Sequence, residues 1–472
     1  MSTIYFVFSF SAGIMHIFFW VLFLCENVVS ILGSEQEKAS LPTLAQVPFL
    51  TVWNAPTGQC KTRYGVDLDL GVFNIVSNQN QSFMGDNITI FYKAKLGLYP
   101  EYVQRQAVNG GVPQNASLPE HLRTATENIQ TYIPDRDFQG LAVVDWESWR
   151  PVWERNWENM NVYWEGSRAL VKAKHPDWSP AQVEVVARQE FQVAARDFME
   201  GTLRLGGSQR PRGMWGFYGF PCCYNYYKNT TGNYTGECPQ IESKRNDALF
   251  WLWNASSALY PDIYLDVAMR GLGDVVRRYT NHRVMEAMRV GAQVTPNPPP
   301  YLSLRSHRLH LLPGMTLVYS IGESAALGSA GIVLWGDNAY SKSKINCEAV
   351  KNYLDGTLGP YLVNVTTAAT LCSRTVCSSH GRCQRRDRSS TTYLHLDPRA
   401  WTIVSDKRAE GGQSYRVLGK LNQYEAVAMR THFQCLCYPG WGGENCSKRL
   451  SSFVHLCIMS VWEIVPRHST KL

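Results

Sequence analysis

The chain has 472 residues, enough for one large domain and a small one, and its hydrophobic content of 45% is ordinary for a globular protein. The formal net charge of +7 is a mild basic excess that would suit a polyanionic partner. The sequence contains no concentrated basic run and no nucleic-acid-binding motif, which argues against nucleic acid as that partner.

Residues 1–33 are predicted to be a signal peptide. Residues 4–24 are mostly apolar, and small residues follow at Ser30, Gly33 and Ser34, where cleavage would be suitable. The stretch lacks a preceding Lys or Arg and is long, so an uncleaved membrane anchor is the alternative. Membrane association is expected only through such an anchor, because the C-terminal tail, 448–472, ends in polar residues and not in the apolar segment of a lipid-anchor signal.

Sequons and cysteines favour a glycoprotein of the secretory pathway, either secreted or lysosomal. Cys25 lies in the leader, and the other twelve of the thirteen cysteines form an even set whose pairing the spacing alone does not fix. Eight Asn-x-Ser/Thr sequons are present, of which Asn87, Asn115, Asn233 and Asn364 are the predicted glycosylation sites; the others are Asn80, Asn229, Asn254 and Asn445.

Residues 41–361 alternate short apolar runs with amphipathic stretches, which predicts an α/β fold with a mainly parallel sheet. Seven or so such units fit a (β/α) barrel better than an open doubly wound sheet. The helical pattern is clearest at 180–200, 244–258 and 283–290, and Ser179 followed by Pro180 predicts the start of the first of these helices. Strands are predicted at 48–53, 88–92, 141–145, 214–218, 263–265, 301–304 and 331–335.

The strongest indication of chemistry is a pair of acids, Asp145 and Glu147, at the end of the apolar run 141–144. On a strand, this spacing places both carboxylates on one face, where their pKa values are pushed apart and one can act as an acid. The alternative is an alternating strand whose acids face solvent. Four aromatic residues also fall at or near predicted strand ends, where barrel enzymes hold their sites, although each could instead pack in the core: Tyr92, Tyr218, Tyr264 and Trp335.

The cysteines of residues 368–447 have the rhythm of an EGF-like module with a long insertion. Cys372, Cys377 and Cys383 come first, and after the insertion Cys435, Cys437 and Cys446 follow. A zinc site is the competing interpretation, but the oxidising compartment and the lack of suitably spaced histidines disfavour it.

Four motifs and this tail resemble the animal hyaluronidases, glycoside hydrolases that cut hyaluronan. The motifs are GLAVVDWESWRP at 140–151, WGFYGFP at 215–221, ALYPDIY at 258–264 and GIVLW at 331–335, and the resemblance runs from about residue 48 to 446. Within the family, the segments Trp335-Gly336-Asp337 and Ser306-His307-Arg308 look most like the hyaluronidase-3 type.

The resemblance implies a distorted (β/α) TIM-like barrel with an appended EGF-like module, and hydrolysis of the β-1,4 bonds of hyaluronan by an endo-β-N-acetylhexosaminidase. Glu147 would be the general acid and Asp145 its proton-sharing partner. The mechanism would be retaining and substrate-assisted, since the acetamido group of the sugar supplies the nucleophile. Tyr218 and Tyr264 would position that acetamido group.

The resemblance also implies substrate-binding residues and partners. Tyr92 and Trp335 would line the sugar site, and Arg283 would face the substrate's carboxylates, unless it is a surface residue at the start of a helix. Hyaluronan is the expected partner, with chondroitin as a second candidate, and neither a cofactor nor a metal ion is expected. The implied disulfides are Cys60–Cys347, Cys223–Cys238, Cys372–Cys383, Cys377–Cys435 and Cys437–Cys446, which leave Cys222 and Cys457 over.

Two departures from the family pattern put the activity level in doubt. Cys222 stands where active members usually have Asp, although it could simply be a small buried residue. Ser306 and His307 stand where the family usually has Tyr-Asp. Both changes remove negative charge near the site, so a weakly active or inactive hyaluronan-binding or adhesion protein on the same scaffold is the alternative function.

Overall fold

The computed structural model describes residues 47–228, 233–306, 312, 314–407 and 413–450. The predicted signal peptide and C-terminal tail lie largely outside these residues, as do His307, Cys25, Cys457 and the sequon asparagine Asn229. No helix in the described ranges is long and apolar enough to cross a membrane.

The described residues contain sixteen strands. They are β1 (Leu50–Asn54), β2 (Ile75–Ser77), β3 (Ile88–Tyr92), β4 (Glu101–Val103), β5 (Gln106–Val108), β6 (Leu141–Asp145), β7 (Met214–Phe217), β8 (Asp262–Leu265), β9 (Tyr301–Ser306), β10 (Gly331–Trp335), β11 (Gly381–Arg385), β12 (Trp401–Lys407), β13 (Gln413–Gly419), β14 (Phe433–Cys437), β15 (Trp441–Gly442) and β16 (Lys448–Arg449).

The α-helices lie mainly between the strands of the first 335 residues. They are α1 (Gly58–Tyr64), α2 (Leu118–Tyr132), α3 (Asn161–Lys174), α4 (Pro180–Gln209), α5 (Gln240–Asp247), α6 (Phe250–Ala255), α7 (Gly273–Gly291), α8 (Gly314–Leu317), α9 (Glu323–Ala326), α10 (Lys344–Tyr353), α11 (Gly359–Val376) and α12 (Gln423–His432).

Eight parallel strands form two sheets whose carboxyl ends share one edge. One sheet has the order β2-β1-β10-β9-β8 and the other has the order β3-β6-β7. The register places Tyr92 opposite Asp145 and Asn54 opposite Trp335. Alternate residues of these strands, such as Val52, fill the interior between the sheets. The predicted α/β class with a parallel sheet is confirmed.

Ladder hydrogen bonds between the described strands do not close the two sheets into one ring. Between β7 and β8, the link is an isolated parallel bridge from Tyr218 to Tyr260 and a few backbone hydrogen bonds around it, such as the one from the Gly219 N–H to the Tyr260 carbonyl at 2.8 Å. Between β2 and β3, side-chain amides take over: Asn78 bonds both the carbonyl and the N–H of Ile88, and Asn87 Nδ2 donates to the Ser77 carbonyl at 2.9 Å. The described strands therefore form two parallel sheets joined by weaker links, and not the closed barrel that the sequence predicted.

The helix starts show how local sequence sets the framework. At α4, the Ser179 hydroxyl accepts from the Gln182 N–H and the Gln182 side chain returns a bond to the Ser179 N–H, a capping box before Pro180. The predicted single helix over 244–258 is wrong, because α5 ends at Asp247 and α6 begins at Phe250.

The cysteine-rich segment is packed on the barrel. The structure contains the five disulfides implied by the family resemblance. Three of these disulfides use all six cysteines of residues 368–447, so their sulfur atoms are not available as thiolates to bind zinc. The insertion forms the β12–β13 hairpin and α12, and the Tyr415 hydroxyl of β13 donates to the Asp355 carbonyl.

Candidate active site

The acid pair lies at the carboxyl edge of the parallel strands. β6 is buried from Leu141 to Val144 and ends at Asp145, which is half-buried. Beyond the end of β6, Trp146 is buried in the core and Glu147 is exposed. One carboxyl is therefore sheltered and the other is within reach of a large substrate.

The surroundings of Asp145 favour its protonated form. The pKa of Asp145 is raised to about 7. Burial is the main cause and the negative charge of Glu147 adds to it, whereas the positive charge of Arg150 acts in the opposite direction. Arg150 also donates from Nη1 to the Glu147 carbonyl at 2.9 Å. Near neutral pH, Asp145 is therefore partly protonated, whereas an aspartate on the open surface would have lost its proton.

Asp145→Asn is expected to stabilise the fold at neutral pH. The pKa of the folded carboxyl, about 7, lies above its ordinary value of 3.8, so the stabilisation that Asp145 confers is complete below about pH 4 and is lost as the pH rises to 7. Asn removes this loss, and after allowance for partial exposure the gain at pH 7.5 is about 2 kcal/mol. Urea unfolding at pH 3.5 and 7.5 measures it; an equal difference at both pH values would contradict the shifted pKa.

Four predicted aromatic residues lie at the carboxyl edge of the strands that also carries the pair. Tyr92, Tyr218, Tyr264 and Trp335 are each half-buried at the ends of β3, β7, β8 and β10. The rings of Tyr218 and Tyr264 lie 6.1 Å apart at 39°. Burial, and then the charge of Asp262, raises the pKa of Tyr218, so its hydroxyl remains a hydrogen-bond donor at any physiological pH.

Arg283 has a different environment from the one expected. Its side chain is 2% exposed, forms an ion pair with Asp262 at 2.7 Å, and donates from Nε to Asn225 Oδ1 at 2.9 Å. It is therefore not a surface residue at a helix start, and it lies well inside α7, which begins at Gly273. A guanidinium so buried and paired does not fit the expected contact with substrate carboxylates.

Cys222 lies half-buried among charged groups. Burial raises the pKa of its thiol, the charge of Asp262 raises it further, and Arg283 and Arg150 act in the opposite direction. A neutral thiol therefore faces two guanidinium groups and one carboxylate. Ser306 is the last residue of β9. His307, which also departs from the family pattern, lies outside the described residues.

Sequence reasoning missed a cluster beside the acids that contains Arg150, Arg155 and Tyr224. The Arg155 guanidinium lies 3.7 Å from the Tyr224 ring centroid and is ion-paired with Glu242. Arg150 belongs to the same motif as the acids and Arg155 follows four residues after its end, so their closeness in sequence to Glu147 was the available signal. In the described part of the chain, no group of three or more acid, His or Cys side chains is arranged to hold a metal ion.

The predicted glycosylation sites occupy two kinds of environment. Asn115 and Asn233 are exposed. Asn87 and Asn364 are half-buried and their side chains are engaged: Asn87 donates to Ser77, and Asn364 Oδ1 accepts from the Leu396 N–H at 3.0 Å.

Comparison with known proteins identifies the family. A sequence model described as hyaluronidase matches residues 38–450. Hyaluronidase-1 of Homo sapiens is 48% identical over 413 residues, which are 86% of this chain and 94% of the relative. Hyaluronidase-2 of Rattus norvegicus is 44% identical over 421 residues, which are 88% of this chain and 89% of the relative.

Solved structures agree with this assignment. The monoclinic crystal structure of bee venom hyaluronidase matches with a TM-score of 0.60 and 31% identity over 67% of this chain and 99% of that chain. The same enzyme in complex with a hyaluronic acid tetramer matches with a TM-score of 0.61 and 30% identity, over 66% and 98% of the chains. The chain therefore belongs to the hyaluronidase family of glycoside hydrolases.

Proposed function

We propose that the protein hydrolyses the β-1,4 bonds of hyaluronan with Glu147 as general acid and Asp145 as its partner. The observation that carries this proposal is the division of the pair into an exposed carboxyl and a sheltered one whose pKa is about 7. Family membership and the likeness to a hyaluronidase that binds a hyaluronic acid tetramer support the substrate.

In the proposed reaction, Glu147 donates a proton to the glycosidic oxygen as the bond to the anomeric carbon breaks. The substrate's acetamido oxygen attacks that carbon from the opposite face. Water then opens the cyclic intermediate and returns a proton to Glu147, so the configuration is retained. Tyr218 and Tyr264 would hold the acetamido group through their hydroxyls, while Tyr92 and Trp335 would form the walls of the sugar site.

We also propose the following domain organisation. Residues 1–33 would be a signal peptide and 41–361 the catalytic barrel, although α11 continues across residue 361 to Val376. Residues 368–447 would be an EGF-like module, supported by first-to-third, second-to-fourth and fifth-to-sixth cysteine pairing and by the antiparallel β11–β14 pair. A secreted or lysosomal location, and the hyaluronidase-3 type, remain predictions.

Reducing-end release by purified protein tests the function directly. Hyaluronan and unsulfated chondroitin are incubated separately at several pH values between 3.5 and 7.5, and products are sized by mass spectrometry. Even-numbered oligosaccharides from hyaluronan support an endo-acting enzyme. Retention of hyaluronan without release at any pH would favour the binding or adhesion protein instead.

Cys222→Asp is expected to raise the rate severalfold and to move the high-pH limb of the activity profile upward by about half a pH unit. Arg150 lowers the pKa of Asp145, and a carboxylate at position 222 would partly offset the charge of Arg150. The pH–rate profile measures both effects, and Cys222→Ser is the neutral control. A profile of Cys222→Asp that matches Cys222→Ser would contradict this electrostatic role.

A further inference from the structure

Tyr99 lies beneath the short segment that carries Glu147. Its side chain is 2% exposed and belongs to the apolar core that also contains Trp146 and Trp149. The Tyr99 hydroxyl accepts the N–H of Ser148 at 3.1 Å and the N–H of Trp149 at 3.3 Å. These are the two peptide N–H groups that follow Glu147 in the chain. One phenol oxygen therefore holds the backbone directly after the proposed acid.

The Tyr99 ring contacts the same segment both before and after Glu147. It stacks on Trp146 at a centroid distance of 4.8 Å and on Trp149 at 5.4 Å, with interplanar angles of 26° and 25°. The Trp149 indole N–H donates to the Pro100 carbonyl at 2.8 Å, which joins the two pieces of chain once more. The residues on either side of Glu147 are therefore fixed by packing as well as by hydrogen bonds.

The segment depends on side chains for its hydrogen bonds because β6, the strand before it, ends at Asp145. Further along, Asn156 binds both backbone groups of Arg150: its Oδ1 accepts the N–H at 2.8 Å and its Nδ2 donates to the carbonyl at 2.9 Å. Between these two points, Tyr99 accepts the two N–H groups. A buried N–H without an acceptor is costly, so the position of the Tyr99 oxygen determines where this backbone lies.

The Tyr99 hydroxyl is suited to this task, and Glu147 needs it. A phenol oxygen has two lone pairs and can accept two hydrogen bonds. Burial raises the pKa of Tyr99, so the group stays neutral and requires no counter-ion. The Glu147 side chain is exposed, so its direction depends on the backbone to which it is attached. A displacement of about 1 Å in a catalytic group can lower a rate about 10²-fold.

We propose that Tyr99 is a positioning residue: by accepting both N–H groups after Glu147, it fixes the direction in which that carboxyl points. The inference rests on the proposed function, in which Glu147 protonates the leaving glycosidic oxygen. Because Tyr99 is buried, it acts through the backbone of residues 147–149 and not by contact with the substrate. Loss of its hydroxyl would misplace the acid without removing it.

Tyr99→Phe in the full-length protein tests this role, since it keeps the stacked ring and removes only the hydroxyl. We expect kcat on a hyaluronan decasaccharide to fall at least about tenfold while KM stays within about twofold. Tyr260→Phe is the matched control. Tyr260 is fully buried, and its hydroxyl donates to the carbonyl of Met214, which begins β7 at the opposite edge of the sheet from the acids. This control should lower the urea midpoint as Tyr99→Phe does and leave kcat within about twofold of wild type.

Hydrogen exchange of single amides provides a readout that does not depend on catalysis. In the wild type, the Ser148 and Trp149 amides should exchange at least about tenfold more slowly than in an unfolded chain, although they lie beyond the end of β6. In Tyr99→Phe they should exchange at least about tenfold faster than in the wild type, whereas Tyr260→Phe should leave their rates unchanged. Mass spectrometry with fragmentation along the backbone resolves these amides.

The outcomes separate this inference from the function on which it rests. If Tyr99→Phe and Tyr260→Phe agree within twofold in kcat, or if Tyr99→Phe changes only KM, the positioning role is overturned while the hydrolase stands. If the wild type does not cleave hyaluronan, the function fails, and exchange alone decides whether Tyr99 holds the segment. Protection that Tyr99→Phe removes supports this role, and unprotected amides in the wild type overturn it. The wild-type exchange also decides the matter if Tyr99→Phe does not fold.

Discussion

Glu147→Gln is expected to reduce hyaluronan hydrolysis at least about 10³-fold without unfolding the protein. A positioned general acid contributes about 10²–10⁴-fold to a rate, and an amide of the same size cannot protonate the leaving oxygen. Because the substrate would supply the nucleophile, no second enzymic group could compensate. Glu147 is exposed, so its replacement leaves no buried group unpaired. Reducing-end release per enzyme, with the urea midpoint as a check on folding, measures the effect.

Glu348→Gln provides the matched control. The side chain of Glu348 on α10 is 52% exposed, and its ion pair with Lys344 is weak, with Nζ and Oε1 3.8 Å apart. It should retain wild-type activity. The wild-type rate should fall as pH rises through about 7, where the sheltered carboxyl of Asp145 loses its proton. Residual activity above about one tenth in Glu147→Gln would exclude this carboxyl as the essential acid.

The parallel framework was predictable because its signals are local. β3, β6 and β10 have the predicted bounds, since each is a short apolar run that ends at a polar or aromatic residue. β2 was missed because it has only three residues, Ile75–Ser77, too few for a periodic pattern. The helix over 244–258 was predicted as continuous because the break at Leu249 lacks both Gly and Pro.

The candidate site was predictable only in part, for a related reason. Asp145, Glu147 and the strand-end aromatics follow from position on individual strands, which the sequence pattern reports. The contact between Arg155 and Tyr224 joins two loops that are distant in sequence, and no local pattern encodes such a pair. The burial of Arg283 likewise depends on Asp262, which belongs to a different element. The position of a residue along a strand can be predicted from local sequence, whereas the partner of a charged side chain depends on the tertiary structure.

The ion pair of Glu323 and Arg385 joins α9 to β11 of the cysteine-rich segment. Arg385 of β11 is 1% exposed and Glu323 of α9 is fully buried, with Nη2 and Oε1 2.6 Å apart. Arg385 also donates to the Arg388 carbonyl, and Asn281 Nδ2 donates to Glu323 Oε1 at 2.6 Å. Every partner of the pair is therefore inside the protein, where an uncompensated charge is expensive.

Glu323→Gln is accordingly expected to lower the free energy of unfolding by about 3–5 kcal/mol, because it leaves the Arg385 charge buried without a counter-ion. Urea denaturation followed by tryptophan fluorescence measures the change. Glu444→Gln is the control: Glu444 belongs to the same segment, is 89% exposed and lies 3.7 Å from Arg386, so its loss should cost less than about 0.5 kcal/mol. The double change Glu323→Leu with Arg385→Met should be less damaging than Glu323→Gln, since it removes both charges together. If Glu323→Gln unfolds within 1 kcal/mol of Glu444→Gln, the pair is not what attaches the cysteine-rich segment, and the shared apolar core between α11 and β14 would have to hold it alone.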